Sequence, residues 1–229
     1  MLIQAGTSDD GRDLSAQVAD VVFSFARTKE SAAELKSDIL SRAQGRDDLL
    51  FVPGLSVVIR DTDDEARQAL DEIHARVPIE RLLAQVQRLF GGRSFVSYDL
   101  DAPFPRVDPS TPESLAGAAS LASQAAVHGW TLRQALHSLI EHWATFVGTP
   151  TTIADEIERW YRSGAADGFN LFVQDPGDWR RFRTEVVPIL VERGLARADY
   201  TSDTLRGHLG LPIPENTHTA SRKHLVTTE

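Results

Sequence analysis

The residue types best suited to chemistry at the head of this chain are Gly6-Thr7-Ser8. They follow an apolar run, Leu2–Ala5, and precede a helical pattern. A strand that ends in glycine and two hydroxyl residues before a helix presents backbone N–H groups, two O–H donors and a positive helix end to an anion. Spacing alone leaves a second reading open, in which Ser8 only N-caps a helix beginning near Asp9. Asp9 and Asp10 directly follow the hydroxyls and oppose an anion unless they point away. Arg12 either offsets that charge or serves as a surface or packing residue.

A second constellation is His137, Glu141 and His142 on a helix expected near 131–146. His137 and Glu141 have the i,i+4 spacing that can share a metal. The run is neither HExxH nor HxxEH, so the zinc-protease pattern is missing. The competing reading puts His137 and Glu141 on the solvent side, with Leu136, Leu139, Ile140 and Trp143 facing inward. His128, beside Gly129, reads as a helix terminus, where a cation is welcome. Phe95, Tyr98 and Phe104 lie in an irregular segment, where they either line a substrate pocket or pack that segment onto the rest. Pairs such as Trp179/Phe182 read as core or interface. GxGxxG, GxxxxGK[ST] and GxSxG are all absent, which removes the usual phosphate cradles and the serine elbow.

Composition narrows the function classes. The chain has 229 residues, 41% of them hydrophobic, and no cysteine. That length can bury a substantial core, and the missing thiols exclude disulfides and thiolate chemistry. A net charge of −9 argues against nucleic acid and anionic membranes as partners. Without a basic n-region or a bilayer-length apolar run, the expectation is a soluble, cytoplasmic protein.

The elements that must position these residues alternate between short apolar runs and helical patterns. Leu2–Ala5, Val21–Phe23 and the run near 51–58 read as strands, with helices near 11–19 and 29–43 between them. This alternation implies βα units and a parallel sheet. Residues 62–147 break the rhythm with helices and no convincing strand, opening on a Thr62/Glu65 capping box. Thr149 and Pro150 then start a helix that carries Ile153, Ile157 and Trp160 and stops at Gly164. Gly168–Val173 reads as a fourth strand, and Asp178 as the opener of a last long helix ending at Gly194. Residues 213–229 are polar and non-periodic, as expected of a disordered tail.

Taken as strings, GTPTTIADEIERWYRSGAADGFNLF, WRRFRTEVVPILVERGL and ADYTSDTLRGHLGLP resemble the C-terminal end of bacterial luciferase-like flavin monooxygenases. The nearest branch contains the nitrilotriacetate and dibenzothiophene-sulfone monooxygenases. Leu2–Ser8 with Gly11-Arg12 is similar to that family's segment at the end of its fifth barrel strand. The resemblance implies an α/β fold, half of a (β/α)8 TIM barrel (strands 5–8), with a helical insertion at about 62–147 between the last two strands of one domain, 1–212. It also implies FMN as cofactor, its phosphate held by Gly6, Thr7 and Ser8, reduced by a separate flavin reductase and used with O2 to oxygenate a small organic substrate. Activity would then require the N-terminal half of the barrel, or a second copy, as partner. The alternative is a non-catalytic remnant or assembly module with at most weak phosphate or FMN binding.

Overall fold

The computed structural model describes residues 1–46, 48–109, 111, 117–140, 144–173 and 175–213. Five strands, all parallel, build its sheet: β1 (Ile3–Gln4), β2 (Val21–Ser24), β3 (Leu50–Ile59), β4 (Ala144–Gly148) and β5 (Asn170–Leu171). The path runs β1-β2-β3-β4, with β5 pairing β3 off that path. The long β3 is the spine. Its first half pairs with β2 (Val21↔Leu50 to Ser24↔Pro53) and its second half with β4 (Leu55↔Ala144 to Ile59↔Gly148). β5 joins at Gly54↔Asn170 and Leu55↔Leu171.

Strand alternation sends every second residue to the helices. Leu55, Val57 and Ile59 of β3 and Phe146 of β4 pack against Ile153, Ile157 and Trp160 of α7 (Pro150–Arg162), and against Phe182 and Val186. Val22 and Phe51 pack on Ala16 of α1 (Asp9–Val18) and Ile39 of α2 (Lys29–Arg42). Each large side chain fully buried here contributes about 1.5–3 kcal/mol, so this face holds the sheet to its helices. The opposite face carries Phe23, Val52, Ser56 and Arg60, all only half-buried.

Between β3 and β4 lie α3 (Asp63–Ala75), α4 (Ile79–Leu89), α5 (Gly117–His128) and α6 (Leu132–His137). The expected capping box is present at the head of α3: Thr62 accepts from the Glu65 N–H and Glu65 returns the bond to Thr62. These helices own a separate core around Leu82, Val86, Phe95, Leu121, Leu132 and Leu136. Phe95 packs on Phe104 and Tyr98 at ring separations of 6.0 and 5.8 Å, so this aromatic group helps to hold the insertion together, while Phe104 also lines a shallow pocket within it. A latch ties the insertion to the sheet domain: Asp63 accepts from the Thr149 N–H (3.0 Å) and the Thr152 hydroxyl (2.8 Å). Those bonds hold its pKa below the usual range despite partial desolvation. Gly148 makes room for the latch, since a Cβ there would sit 2.6 Å from the Asp63 carboxylate, at a φ of +154°.

Three expectations need correction. Residues 62–147 contain a strand: Ala144–Gly148 pairs along β3, and α6 ends at His137 instead of continuing to 146. The insertion therefore lies between β3 and β4. Thr145-Phe146-Val147 are β-branched or aromatic, and pairing with the buried spine outweighs a helical reading of the same apolar spacing. His137 is half-buried, 5.8 Å from the His74 ring, and not on the solvent side; Glu141, His142 and Trp143 lie outside the described residues. The last long helix opens at Asp175, which caps α8 (Pro176–Arg181), and continues through a π-helical turn, Phe182–Val186, into α9 (Val187–Glu192). Asp178 is instead buried, accepting from the Ile59 N–H (3.0 Å) and Arg60 (2.7 Å). Of the pair read as core or interface, Phe182 is buried in the core and Trp179 is 47% exposed beside Leu171 and Val173 of the β5 segment. Of the tail expected from 213, residues 214–229 lie outside the described residues. Among the described residues no helix is long and apolar enough to cross a membrane.

Candidate functional site

Because all five strands are parallel, their C-terminal ends share one rim, the place where loops build sites in such folds. Gly6, Thr7 and Ser8 form the loop from β1 into α1 at that rim. Ser8 N-caps α1, its hydroxyl oxygen accepting from the Gly11 N–H at 3.3 Å. That use consumes an acceptor lone pair, while the Ser8 O–H remains a donor. Thr7 and Ser8 are both exposed. The capping reading of Ser8 is thus seen in the structure, and capping leaves its O–H unused as a donor.

The loop is held tightly. A Cβ on Gly6 would meet the Gly11 Cα at 2.8 Å, and a Cβ on Gly11 would meet the Gly6 Cα at 2.8 Å. Only two glycines let these backbone segments lie so close. Arg12 donates through Nε to the Thr7 carbonyl (2.9 Å) and through a terminal nitrogen to Asp38 (2.7 Å). It braces the loop from behind. Arg42 takes up Asp9 at 3.1 Å, Asp13 at 2.8 Å and Asp38 at 3.1 Å. Hydrogen bonds from Arg42 and then Arg12 hold the Asp38 pKa low, and the three carboxylates raise that of Arg42. Asp9, which opposed an anion in the sequence, is drawn off toward α2.

A cavity of about 510 Å³ opens over the face of β3 opposite α7. Its floor includes Ser56, Val58 and Thr145, and α3 with the start of α4 forms its roof. Phe172 closes one side: Ser56 donates to its carbonyl (2.9 Å), and its ring lies 5.9 Å from that of Phe23. Two strand spacings, about 10 Å, separate β1 from β3 across the sheet, and the register sets Gln4 level with Phe51, so the cavity floor at Ser56 and Val58 lies farther along the strand direction than the loop. The cavity wall also carries Arg60, His74, Arg76 and Arg81. Sequence reading missed these residues. Strand alternation continued to residue 60 would put Ser56, Val58 and Arg60 on one face, but nothing local shows that α3 folds over them.

Comparison with known proteins follows the same residues. The family profile described as luciferase-like monooxygenase matches residues 2–167. N-acetyl-S-(2-succino)cysteine monooxygenase of Bacillus subtilis (strain 168) is 34% identical over 94% of this chain and 51% of its own length. Nitrilotriacetate monooxygenase component A of Aminobacter aminovorans is 31% identical over 94% of this chain and 49% of its own length. Among solved structures, riboflavin lyase with modified FMN and its substrate riboflavin superposes with a TM-score of 0.68 at 29% identity, over 93% of this chain and 48% of that one. The chain spans about half the length of the curated relatives it matches.

Proposed function

Because this chain belongs to the luciferase-like monooxygenase family, we propose that it forms the strand 5–8 half of an FMN-dependent, two-component monooxygenase acting on a small organic substrate. The observation that carries this reading is the Gly6–Ser8 loop, packed against Gly11 at the head of α1 with its hydroxyls outward. The residues fit a phosphate. Thr7 and Ser8 would supply O–H donors, and the first N–H groups of α1 a positive end. Arg12 keeps the Thr7 carbonyl turned away by bonding it, and Arg42 draws off Asp9. Bound reduced FMN would supply the electrons and activate O2 for oxygen insertion. Phe23, Val58 and Phe172 offer an apolar wall that keeps water from the reacting atoms. The nitrilotriacetate relative is component A of its monooxygenase, which supports a second component, read here as a flavin reductase.

The remaining strands of the barrel would come from the N-terminal half or a second copy. Exposed Leu2 (58%) and Ile3 (61%) at β1, and Trp179 beside β5, support such a partner. Ser8→Ala, made in the chain combined with its complementary half, tests the site. A hydroxyl bonded to a charged phosphate contributes about 1.5–3 kcal/mol, so FMN affinity should fall roughly ten- to a hundred-fold, with riboflavin affinity unchanged. Unchanged FMN affinity with stability lowered by about 1 kcal/mol would assign Ser8 to capping alone.

A further inference from the structure

The cavity over β3 has a wall of one chemical character and a rim of another. Val58, Ile73, Val77, Ile140 and Phe172 give it an apolar interior. Its charged residues are three guanidiniums, Arg60, Arg76 and Arg81, and three carboxylates, Glu72, Asp175 and Asp178, with His74 beside them. The carboxylates are all engaged. Asp178, its side chain 3% exposed, is held by Arg60 and the Ile59 N–H. Asp175 accepts from the Gly177 N–H at 2.7 Å. Glu72 faces Arg76 at 4.0 Å and accepts from Gln68 at 3.4 Å. Arg81 has no carboxylate partner among the described residues, and stands at the start of α4 on the cavity edge.

We propose that this cavity takes a small organic anion, with a carboxylate at the Arg81 edge and an apolar chain against Val58, Ile73, Ile140 and Phe172. This names the substrate class of the catalytic face assigned above and rests on that assignment. The cavity, at about 510 Å³, lies in the range of small-molecule sites. A guanidinium with free donors favours a carboxylate, which accepts in pairs, over a neutral amide of the same shape. Glu72 and Asp175 at the same rim disfavour a dianion placed deeper in the cavity.

The test needs no flavin, so it can fail while FMN binding at Gly6–Ser8 stands, and the reverse. Hexanoate and its neutral isostere hexanamide are titrated into the full chain and followed by amide and methyl chemical shifts. Hexanoate should bind about tenfold more tightly than hexanamide, with shifts at Ser56, Ile73, Ile140 and Phe172. Arg81→Gln, an exposed substitution that leaves the core intact, should remove most of that difference and leave hexanamide unchanged. Equal binding of acid and amide, no binding of either, or a hexanoate preference that survives Arg81→Gln would each overturn the proposal.

Discussion

Substituting Gly6 by alanine tests the geometry on which the candidate phosphate loop depends. The new Cβ would lie 2.8 Å from the Gly11 Cα, whereas carbon atoms rest at about 3.5–4.0 Å. Loop and helix must therefore part by about 0.7–1.2 Å. Both atoms belong to backbone, so no flexible side chain can absorb the shift. Overpacking of this kind costs about 1–3 kcal/mol. Gly11→Ala meets the same obstacle from the other side, and its Cβ would also sit 3.1 Å from the Ser8 hydroxyl. Gly11 lies inside α1, however, so alanine recovers up to about 1 kcal/mol of helix propensity. Gly6 precedes the helix and gains nothing comparable. Urea unfolding at constant m should thus show both variants destabilised, Gly6→Ala by about 1–3 kcal/mol and Gly11→Ala by about 1 kcal/mol less. FMN titration in the combined halves should show reduced affinity for Gly6→Ala, because the Ser8 hydroxyl moves with the loop. Two variants within 0.5 kcal/mol of the parent, or Gly11→Ala the more damaging, would refute this packing argument.

Two further outcomes are expected. Burial first, then the charges of His74 and Arg133, lower the His137 pKa from 6.5, with Asp71 opposing; the unfolded chain therefore binds this proton more readily, so stability is intact above about pH 6.5 and falls as pH drops below it. Melting temperature measured against pH should show that decline, flattened in His137→Gln, and an equal slope in both proteins would count against it. Among the described residues β1 pairs only with β2 and β5 only with β3, so the chain alone should sediment as dimers or larger species through these edges, with Ile3→Lys and Trp179→Lys together shifting it to smaller ones; a compact, cooperative parent monomer at micromolar concentration would contradict the edge argument.

Local rules were sufficient wherever a residue acts on its near neighbours. Ser8, Thr28, Thr62 and Thr149 cap their helices through bonds to residues three positions on, and such bonds are legible in any string. The βα alternation of the first sixty residues appears as parallel strands β1 to β3 with α1 and α2 between them. What remained hidden depends on partners far along the chain. Ala144–Gly148 became a strand because β3, paired from Leu55↔Ala144 to Ile59↔Gly148, offers it a buried edge far back along the chain, and no local preference distinguishes that from a helix end. Asp178 looked like a helix opener, yet its carboxylate serves Ile59 and Arg60 some 119 and 118 residues earlier. The Gly6-Thr7-Ser8 loop was visible as a motif, but its tightness comes from the Gly11 contact, and the partner of Asp9 is Arg42 on another helix. The cavity needed the tertiary structure most of all. Its floor, roof and wall come from β3, α3 and the segment after β5, and the long-range bonds of Asp63 to Thr149 and Thr152 help to set that roof in place.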